Sequence, residues 1–410
     1  MSLAFKSSPE PGSAMAQSSA APVGRDEDAP TVSIVFPALN EEAAIARCVE
    51  RARAALAREA LQGEVVVIDN GSTDRTGEIA RREGARVVVE ARRGYGAACL
   101  RGLREAFGEF VLLLDADGTY PVEMVGEFVR VMRDGGADVV LGNRFGGLME
   151  RGSMPLLNRY LGNPVLSGMT RFLFGAPLRD IHCGMRAIRR DRVAALGLSM
   201  PGMEFATEMV VKALDQEMRV QELSIPYSAR VGLSKLRPLR DAWRHTEYML
   251  VLSPSLLLWP GLLSYLFGTA LQVLLLSGPR TVLFRRWDVH TNLAGLAAAL
   301  GGSTLLVLGL VSATFAWSIG VRFRHSSAAR AVGQAGDGPV RIAAMLLAVT
   351  GAGMWAAVIG RWAASGFGAL AAVPYLSLAT TLFASGLELL VASFLMYVMR
   401  LKTRTPASSV

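Results

Sequence analysis

The stretch Glu109-Phe110-Val111-Leu112-Leu113-Leu114-Asp115-Ala116-Asp117-Gly118-Thr119-Tyr120-Pro121 decides how the chain is read. Its apolar run, Phe110 to Leu114, has the length of a strand buried on both faces, as in a parallel sheet. Gly118 and Pro121 close the turn that follows. Residues two apart on a strand point to the same side. Asp115 and Asp117 therefore converge where the strand leaves the sheet, the edge at which open α/β sheets hold ligands. Two bare carboxylates suit a hard cation that keeps waters and takes further ligands from phosphates, Mg²⁺ or Mn²⁺. Alone, D-x-D also reads as a solvated turn with an Asp cap, so the surrounding chain has to decide.

Working outward, the same pattern repeats. Residues 32–36 (VSIVF) form a short strand, after which Asn40 is expected to cap a helix running to about Ala60, with Glu41 and Glu42 in its first turn. Strand 64–69 (EVVVID) ends in the turn cluster Asn70-Gly71-Ser72-Thr73-Asp74, and strand 85–90 (ARVVVE) in Arg92-Arg93-Gly94-Tyr95-Gly96. A helix from Pro121 and a strand over 137–142 follow. Strand–helix alternation with short connections predicts a mostly parallel, doubly wound α/β sheet. Gly94 lies in G-x-G-x-x-C after the third strand and lacks the last glycine, which excludes a dinucleotide fingerprint; no P-loop occurs either. Gly94 and Gly96 read either as a backbone cradle for a ligand phosphate or as a helix start that needs small residues.

Composition sets the bounds. Of 410 residues 51% are hydrophobic, mean hydropathy is +0.33 and the formal charge is +8. Basic residues flank long apolar spans and form no aromatic-interleaved stripe, so membrane surface and phosphate ligands explain them, not nucleic acid. Cys48, Cys99 and Cys183 are scattered without C-x-x-C, which argues for a reducing compartment and against a disulfide framework or zinc site. Residues 1–30, rich in Ala, Ser, Pro and Gly, show no signal-peptide core and read as disordered.

Carboxylates thus gather at strand ends on one side of the sheet: Glu41, Asp69, Asp115 and Asp117. Asp69 can accept hydrogen bonds from a base or ribose; Glu41 can do the same or satisfy a helix terminus. Together they describe a nucleotide-diphosphate cleft with a metal at its mouth. The ordered blocks Pro37-Ala38-Leu39-Asn40-Glu41, Asp69 to Asp74, Gly94 to Ala98, Asp115 to Thr119, Asp180 to Arg186 and Arg230 to Lys235 resemble the family 2 inverting glycosyltransferases, and within them the dolichyl- and polyprenyl-phosphate sugar synthases. The likeness covers residues 31 to about 253 and implies a GT-A-type fold. It implies that Pro37, Leu39, Glu41, Asp69, Gly71 and Gly94 hold the nucleotide and that Asp115 and Asp117 hold the metal. It implies Asp180 as a carboxylate near the acceptor, and Arg144, Arg159, Arg230, Ser234 and Lys235 around the acceptor phosphate. Arginine grips phosphate bidentately and lysine acts as a point charge. Asp115, Asp117, Asp180 and Arg144 are the candidate catalytic set. Adjacent His182 and Cys183 invite a nucleophile reading, but sequence neighbours rarely face each other, and a structural Cys in a tight turn is expected. Glu204, Phe205 and Glu208 are weaker candidates for the acceptor side.

From Ser253 the composition changes. Residues 253–277, 293–319 and 342–360 carry no charge, and 375–399 only Glu388; each can cross a bilayer core of roughly 30 Å. The expected order is a disordered segment (1–30), a glycosyltransferase domain (31–236), an amphipathic juxtamembrane helix (237–252), four transmembrane helices (253–399) and a basic tail (400–410). Arg237, Arg240, Arg244, Arg322, Arg324, Arg330, Arg341, Arg400, Lys402 and Arg404 fall on the catalytic side, against Arg280, Arg285, Arg286 and Arg361 opposite. That bias puts the catalytic half and both termini in the cytoplasm of a cell membrane, the bacterial inner membrane first. The reading is a metal-dependent transfer of a hexose, glucose or mannose, from a nucleotide-diphosphate sugar to polyprenyl or dolichyl phosphate, with a homo-oligomer left open. A processive polysaccharide synthase would carry Q-x-x-R-W, and only Trp243-Arg244 occurs; the intact D-x-D and Arg/Lys set argue against a non-catalytic nucleotide-sugar scaffold, and four spans with one ionisable residue are few for a transporter's substrate pathway.

Overall fold

Strand β4 (Phe110–Leu113), which feeds the acidic pair, lies at the middle of the sheet. The computed structural model describes residues 30–404, apart from 177, 233–237, 283, 325 and 369–371. Before β4 come β1 (Val32–Ala38), α1 (Ile45–Arg58), β2 (Gly63–Asp69), α2 (Thr76–Arg82), β3 (Arg86–Val89) and α3 (Tyr95–Glu105). After it come α4 (Val125–Arg133), β5 (Val139–Asn143), α5 (Asn163–Phe174), β6 (Arg186–Arg189), α6 (Arg190–Leu196), α7 (Phe205–Asp215) and β7 (Val220–Ser224). The strand order is β3-β2-β1-β4-β6-β5-β7. Strands β1 to β4 run parallel, and β5 is parallel to β7. Only β6 is reversed, antiparallel to both β4 and β5. The mostly parallel, doubly wound sheet is as the sequence predicts; β6 is an addition, since Arg-Ala-Ile-Arg has no apolar run to announce it.

Period two explains why this sheet needs helices on both faces. Ile34, Phe36, Val67, Phe110 and Leu112 pack on one side with α1 and α4, and Val35, Val66, Ile68, Val111 and Leu113 on the other with α3 and α7. One local expectation is corrected here. Asn40 does not cap α1, which starts at Ile45; its backbone sits at φ 51° and its Oδ1 accepts the Thr73 N–H at 2.7 Å. The side chain ties two strand-end loops together, so Glu41 and Glu42 precede the helix and do not form its first turn.

Helix α8 (Pro238–Val251) leads into α9 (Ser255–Leu274), the hairpin β8 (Arg280–Val282) and β9 (Arg285–Trp287), α10 (Val289–Ser318), α11 (Ser327–Ala335), α12 (Gly338–Ala364) and α13 (Val373–Arg404). Four of these, α9, α10, α12 and α13, are long and apolar enough to cross a membrane. They touch through backbone: a Cβ on Gly268 would stand 2.4 Å from Ala299 N, and one on Gly351 2.4 Å from Phe383 N. Close approach at small residues is how helices associate where apolar burial offers no gain. Helix α13 continues through Arg404, past the span expected from hydropathy; residues 405–410 lie outside the described residues, as do 1–29.

The two halves meet at the end of α7. Asp215 accepts the backbone N–H of Arg322 at 2.5 Å and of Arg324 at 3.1 Å. Val211, Tyr248, Leu252, Ala313, Val321 and Phe323 form one buried cluster beside it. The sheet half therefore sits on the connection between α10 and α11, which fixes which end of the bundle faces it.

Candidate active site

Parallel strands place their C-terminal ends on one edge, and the candidate residues collect there. Pro37 and Asp69 end β1 and β2, Asp115 and Asp117 follow β4, and Arg144 follows β5. Because β6 runs the other way, its incoming loop, Asp180 to Gly184, arrives at the same edge. The segment after β7 then crosses the acidic turn: Ser228 N–H donates to Thr119 O and Val231 N–H to Asp117 O, both at 3.1 Å.

The acidic pair is held before anything binds. Tyr95 Oη donates to Asp115 Oδ1 at 3.0 Å, while Thr119 donates to Asp117 Oδ1 from Oγ1 at 2.7 Å and from its N–H at 3.1 Å. Asp115 presses on Gly184, where a Cβ would meet its Oδ2 at 2.6 Å. Burial, and then the nearby Asp117 carboxylate, push Asp115 up from 3.8 to about 6. Two carboxylates crowded in this way gain from a shared cation. Part of that role is already filled. Arg230 donates from Nη2 to Glu41 Oε1 at 3.0 Å, and its Nη1 stands 3.5 Å from Asp117 Oδ2. Among the described residues no group of three His, Cys, Asp or Glu side chains forms a complete metal shell. The pair thus fits a cation that brings its other ligands with it, from water and phosphate.

Arg144 and Asp180 find each other across 36 residues. Nε and Nη2 of Arg144 donate to the two Asp180 oxygens at 2.7 Å each, and Arg144 N–H adds a third bond at 3.0 Å. Asp180 is fully buried and the Arg144 guanidinium lies 5.4 Å from the Tyr227 ring centroid. Both Asp180 oxygens are taken up by Arg144, and although burial pulls the Arg144 pKa down, the Asp180 carboxylate raises it well above the ordinary guanidinium value. Glu222 on β7, unremarked in the sequence, accepts the N–H groups of Arg179 and Asp180 at 2.7 Å and so anchors their loop.

On the nucleotide side, Asp69 Oδ1 accepts Ser72 N–H at 2.8 Å, shaping the loop that holds Gly71 at φ 79°. Leu39 and Glu41 leave β1 beside it, and Thr76 Oγ1 accepts Glu41 N–H at 2.8 Å. Gly94 opens α3 in close packing. Its N–H donates to Asn70 Oδ1 at 2.8 Å, and a Cβ there would meet Pro201 O at 2.2 Å. The glycine is required by packing against the 200–202 segment, and Asn70, buried and bonded also to Glu90 O and Arg92 O, is the residue that organises this loop.

Other candidates fall outside the cluster. Arg159 lies on the helix leading into α5 with its guanidinium 5.5 Å from the Tyr160 ring, joined by no hydrogen bond or ion pair to the acidic pair or to Asp180 among the described residues. Glu208 is fully buried against Lys212 at 2.8 Å and accepts Ser199 and Met200 N–H groups, a structural pair and not an acceptor contact. Glu204 pairs with Arg244 on α8 at 2.6 Å. Burial pushes the Cys183 thiol up to about 12, so it is inert as a nucleophile, as expected. His182 bonds Thr207 Oγ1, which also meets His245 of α8. Ser234 and Lys235 lie outside the described residues.

The sequence model of the family described as Glycosyl transferase family 2 matches residues 33–197. The hexosyltransferase Agl6 of low-salt glycan biosynthesis in Haloferax volcanii is 39% identical over 285 residues, 69% of this chain and 68% of that protein. The dolichyl-phosphate hexose transferase of the same organism is 37% identical over 43% of this chain and 75% of its own length. The dolichol-phosphate mannosyltransferase of Pyrococcus furiosus is 27% identical over 50% of this chain and 59% of that protein. Among solved structures, glucosyl-3-phosphoglycerate synthase from Mycobacterium tuberculosis overlays with a TM-score of 0.43 at 23% identity, over 54% of this chain and 79% of that one.

Proposed function

The chain belongs to glycosyl transferase family 2, and from that premise we propose that it moves a hexose from a nucleoside-diphosphate sugar to the phosphate of a polyprenol at the membrane surface. The observation that carries this reading is the guanidinium of Arg230 seated between Glu41 and Asp117, a cation at the mouth of an acidic strand-end cleft. The relatives named for dolichyl-phosphate hexose and mannose transfer support the acceptor class, and four apolar helices beginning at the catalytic domain support its location.

In this reading Pro37, Leu39, Glu41, Asp69 and the Gly71 loop receive the nucleoside. Asp115 and Asp117 would hold Mg²⁺ or Mn²⁺ against the diphosphate, and when bound the ion supplies Lewis-acid stabilisation of the leaving group. Arg144, clamped by Asp180, offers a pre-aimed positive charge to the acceptor phosphate, and Arg230 is available to join it once released from the acidic side chains. An acceptor phosphate oxygen attacks the anomeric carbon from the face opposite the diphosphate. The new C–O–P linkage forms as the C–O bond to the leaving diphosphate breaks, with inversion. The acceptor is already anionic near neutral pH, so no strong general base is needed, which agrees with Asp180 being locked in an ion pair. The Lys and Arg bias supports a cytoplasmic side for the catalytic half and its lipid acceptor.

The test is to supply membranes containing the chain with radiolabelled nucleotide sugars and polyprenyl phosphate, with and without chelator. The expected product is one chelator-sensitive lipid-linked sugar. A labelled polysaccharide, or lipid product formed equally with chelator present, would defeat the reading.

A further inference from the structure

The far end of the membrane domain carries a polar site that the proposed transfer does not use. Helix α9 starts beside the catalytic half, and its 20 residues rise about 30 Å. Beyond its end, the turn Leu275 to Pro279, the start of α10 and the start of α13 enclose a cavity of about 420 Å³. Asn292 of α10 lines that cavity and is fully buried, yet neither its Nδ2 nor its Oδ1 has a hydrogen-bond partner among the described residues. A buried carboxamide elsewhere in the bundle is paired. Gln272, equally buried on α9, exchanges bonds with Thr381 at 2.9 and 3.0 Å. An orphan buried amide is costly and asks for an explanation.

The rim adds charge. Arg280 donates from Nη2 to Ser277 Oγ at 2.6 Å, and Ser277 lines the cavity. Arg285 and Arg286 are exposed on the same hairpin, and one carboxylate, Asp288, lines the cavity and accepts His290 N–H at 3.0 Å. We propose that this cavity binds the headgroup of an anionic, hydroxyl-bearing lipid in the leaflet opposite the catalytic half. The Asn292 amide, one donor side and one acceptor side, pairs with adjacent hydroxyls, and Arg280 holds the phosphate at the bilayer surface. Two lipids share this chemistry: a polyol phospholipid, and the glycosyl phosphoryl polyprenol that the catalytic half is proposed to make. The second source rests on that proposed function; the site itself does not.

The experiment uses the full chain, delipidated in detergent, with no nucleotide sugar present. Native mass spectrometry follows retention of phosphatidylglycerol, of phosphatidic acid with the same acyl chains, and of glucosyl phosphoryl polyprenol. The wild type is expected to retain phosphatidylglycerol about tenfold better than phosphatidic acid, the worth of about one well-placed hydrogen-bonded pair. Asn292→Leu should bring the two to parity, and Ser277→Trp, placed outside the spans and filling the cavity, should remove retention even if Asn292→Leu fails to fold. Glycolipid retention that also depends on Asn292 and Ser277 identifies the product as an occupant; retention of phosphatidylglycerol alone identifies a phospholipid site. Equal retention of both phospholipids by the wild type, or retention unmoved by both variants, means a water-filled cavity only and overturns the proposal. Because no donor is present, failure of the transfer reaction leaves this result intact.

Discussion

In the sheet half, full charges are buried and each is closed on a partner: Arg144 on Asp180, Lys212 on Glu208. In the helical half, buried polar groups are mostly neutral, and some, Asn292 and Ser377 among them, have no hydrogen-bond partner among the described residues. Its one mid-span carboxylate, Glu388, meets only hydroxyls, Ser303 Oγ at 2.5 Å and Thr304 Oγ1 at 3.2 Å. The difference teaches what each half is for. Paired charges hold a geometry ready for a reaction, since breaking either pair strands a buried ion. Unpaired neutral groups hold nothing by themselves and gain most from something that arrives from outside.

The strongest way to break this contrast is Arg144→Leu. It leaves Asp180 buried and unpaired, so unfolding in denaturant should show a loss of about 3–5 kcal/mol together with loss of transfer. A variant of normal stability would mean that the pair is not holding the site. Next is Arg230→Gln, expected to lower transfer about 100–1,000-fold. It should at the same time tighten Mn²⁺ binding in the absence of nucleotide, because no guanidinium then competes for Asp117. Weaker Mn²⁺ binding would show that Arg230 supports the ion and does not stand in for it.

A smaller effect sharpens the electrostatics of the acidic pair. The unfolded Asp115 carboxyl loses its proton near 3.8, whereas burial and Asp117 hold the folded one to about 6. Between those values the folded chain binds more protons, so its stability falls as pH rises through the window and the penalty is complete above about 6. With chelator present, Asp115→Asn should raise the melting temperature by a few degrees at pH 8 and change it little at pH 4, as thermal scans would show. No gain at pH 8 would remove the strain that a cation is proposed to relieve. Smallest of all is Glu388→Gln, whose amide oxygen still accepts from Ser303 or Thr304. It should leave assembly and melting within experimental scatter, and a marked loss would make the charge itself functional.

Much of the sheet half was legible because its strands are short, apolar and cut off by Asn, Gly or Pro, so Asp69, Asp115 and Asp117 could be placed at one edge from periodicity alone. The pairing of Arg144 with Asp180 was not, because it depends on β6 reversing direction, and its Arg-Ala-Ile-Arg sequence lacks a strand's apolar run. Arg186 of that strand is nearly fully buried, donating to the carbonyls of Cys183 and Ala206, a fate that a lone arginine does not advertise. For Gly94 and Gly96 the sequence left a ligand cradle and a helix start that needs small residues both open, since the 200–202 segment that touches them is a hundred residues away in sequence. The spans were legible from hydropathy, but an orphan such as Asn292 is visible only once its neighbours are placed.

Direct titration of Mn²⁺ into the full chain with a nucleoside diphosphate present, for wild type and Asp117→Ala, reaches the centre of the account. One nucleotide-dependent ion per wild-type chain, lost in Asp117→Ala, is the result predicted here. Undiminished binding in Asp117→Ala would place the ion elsewhere and contradict it.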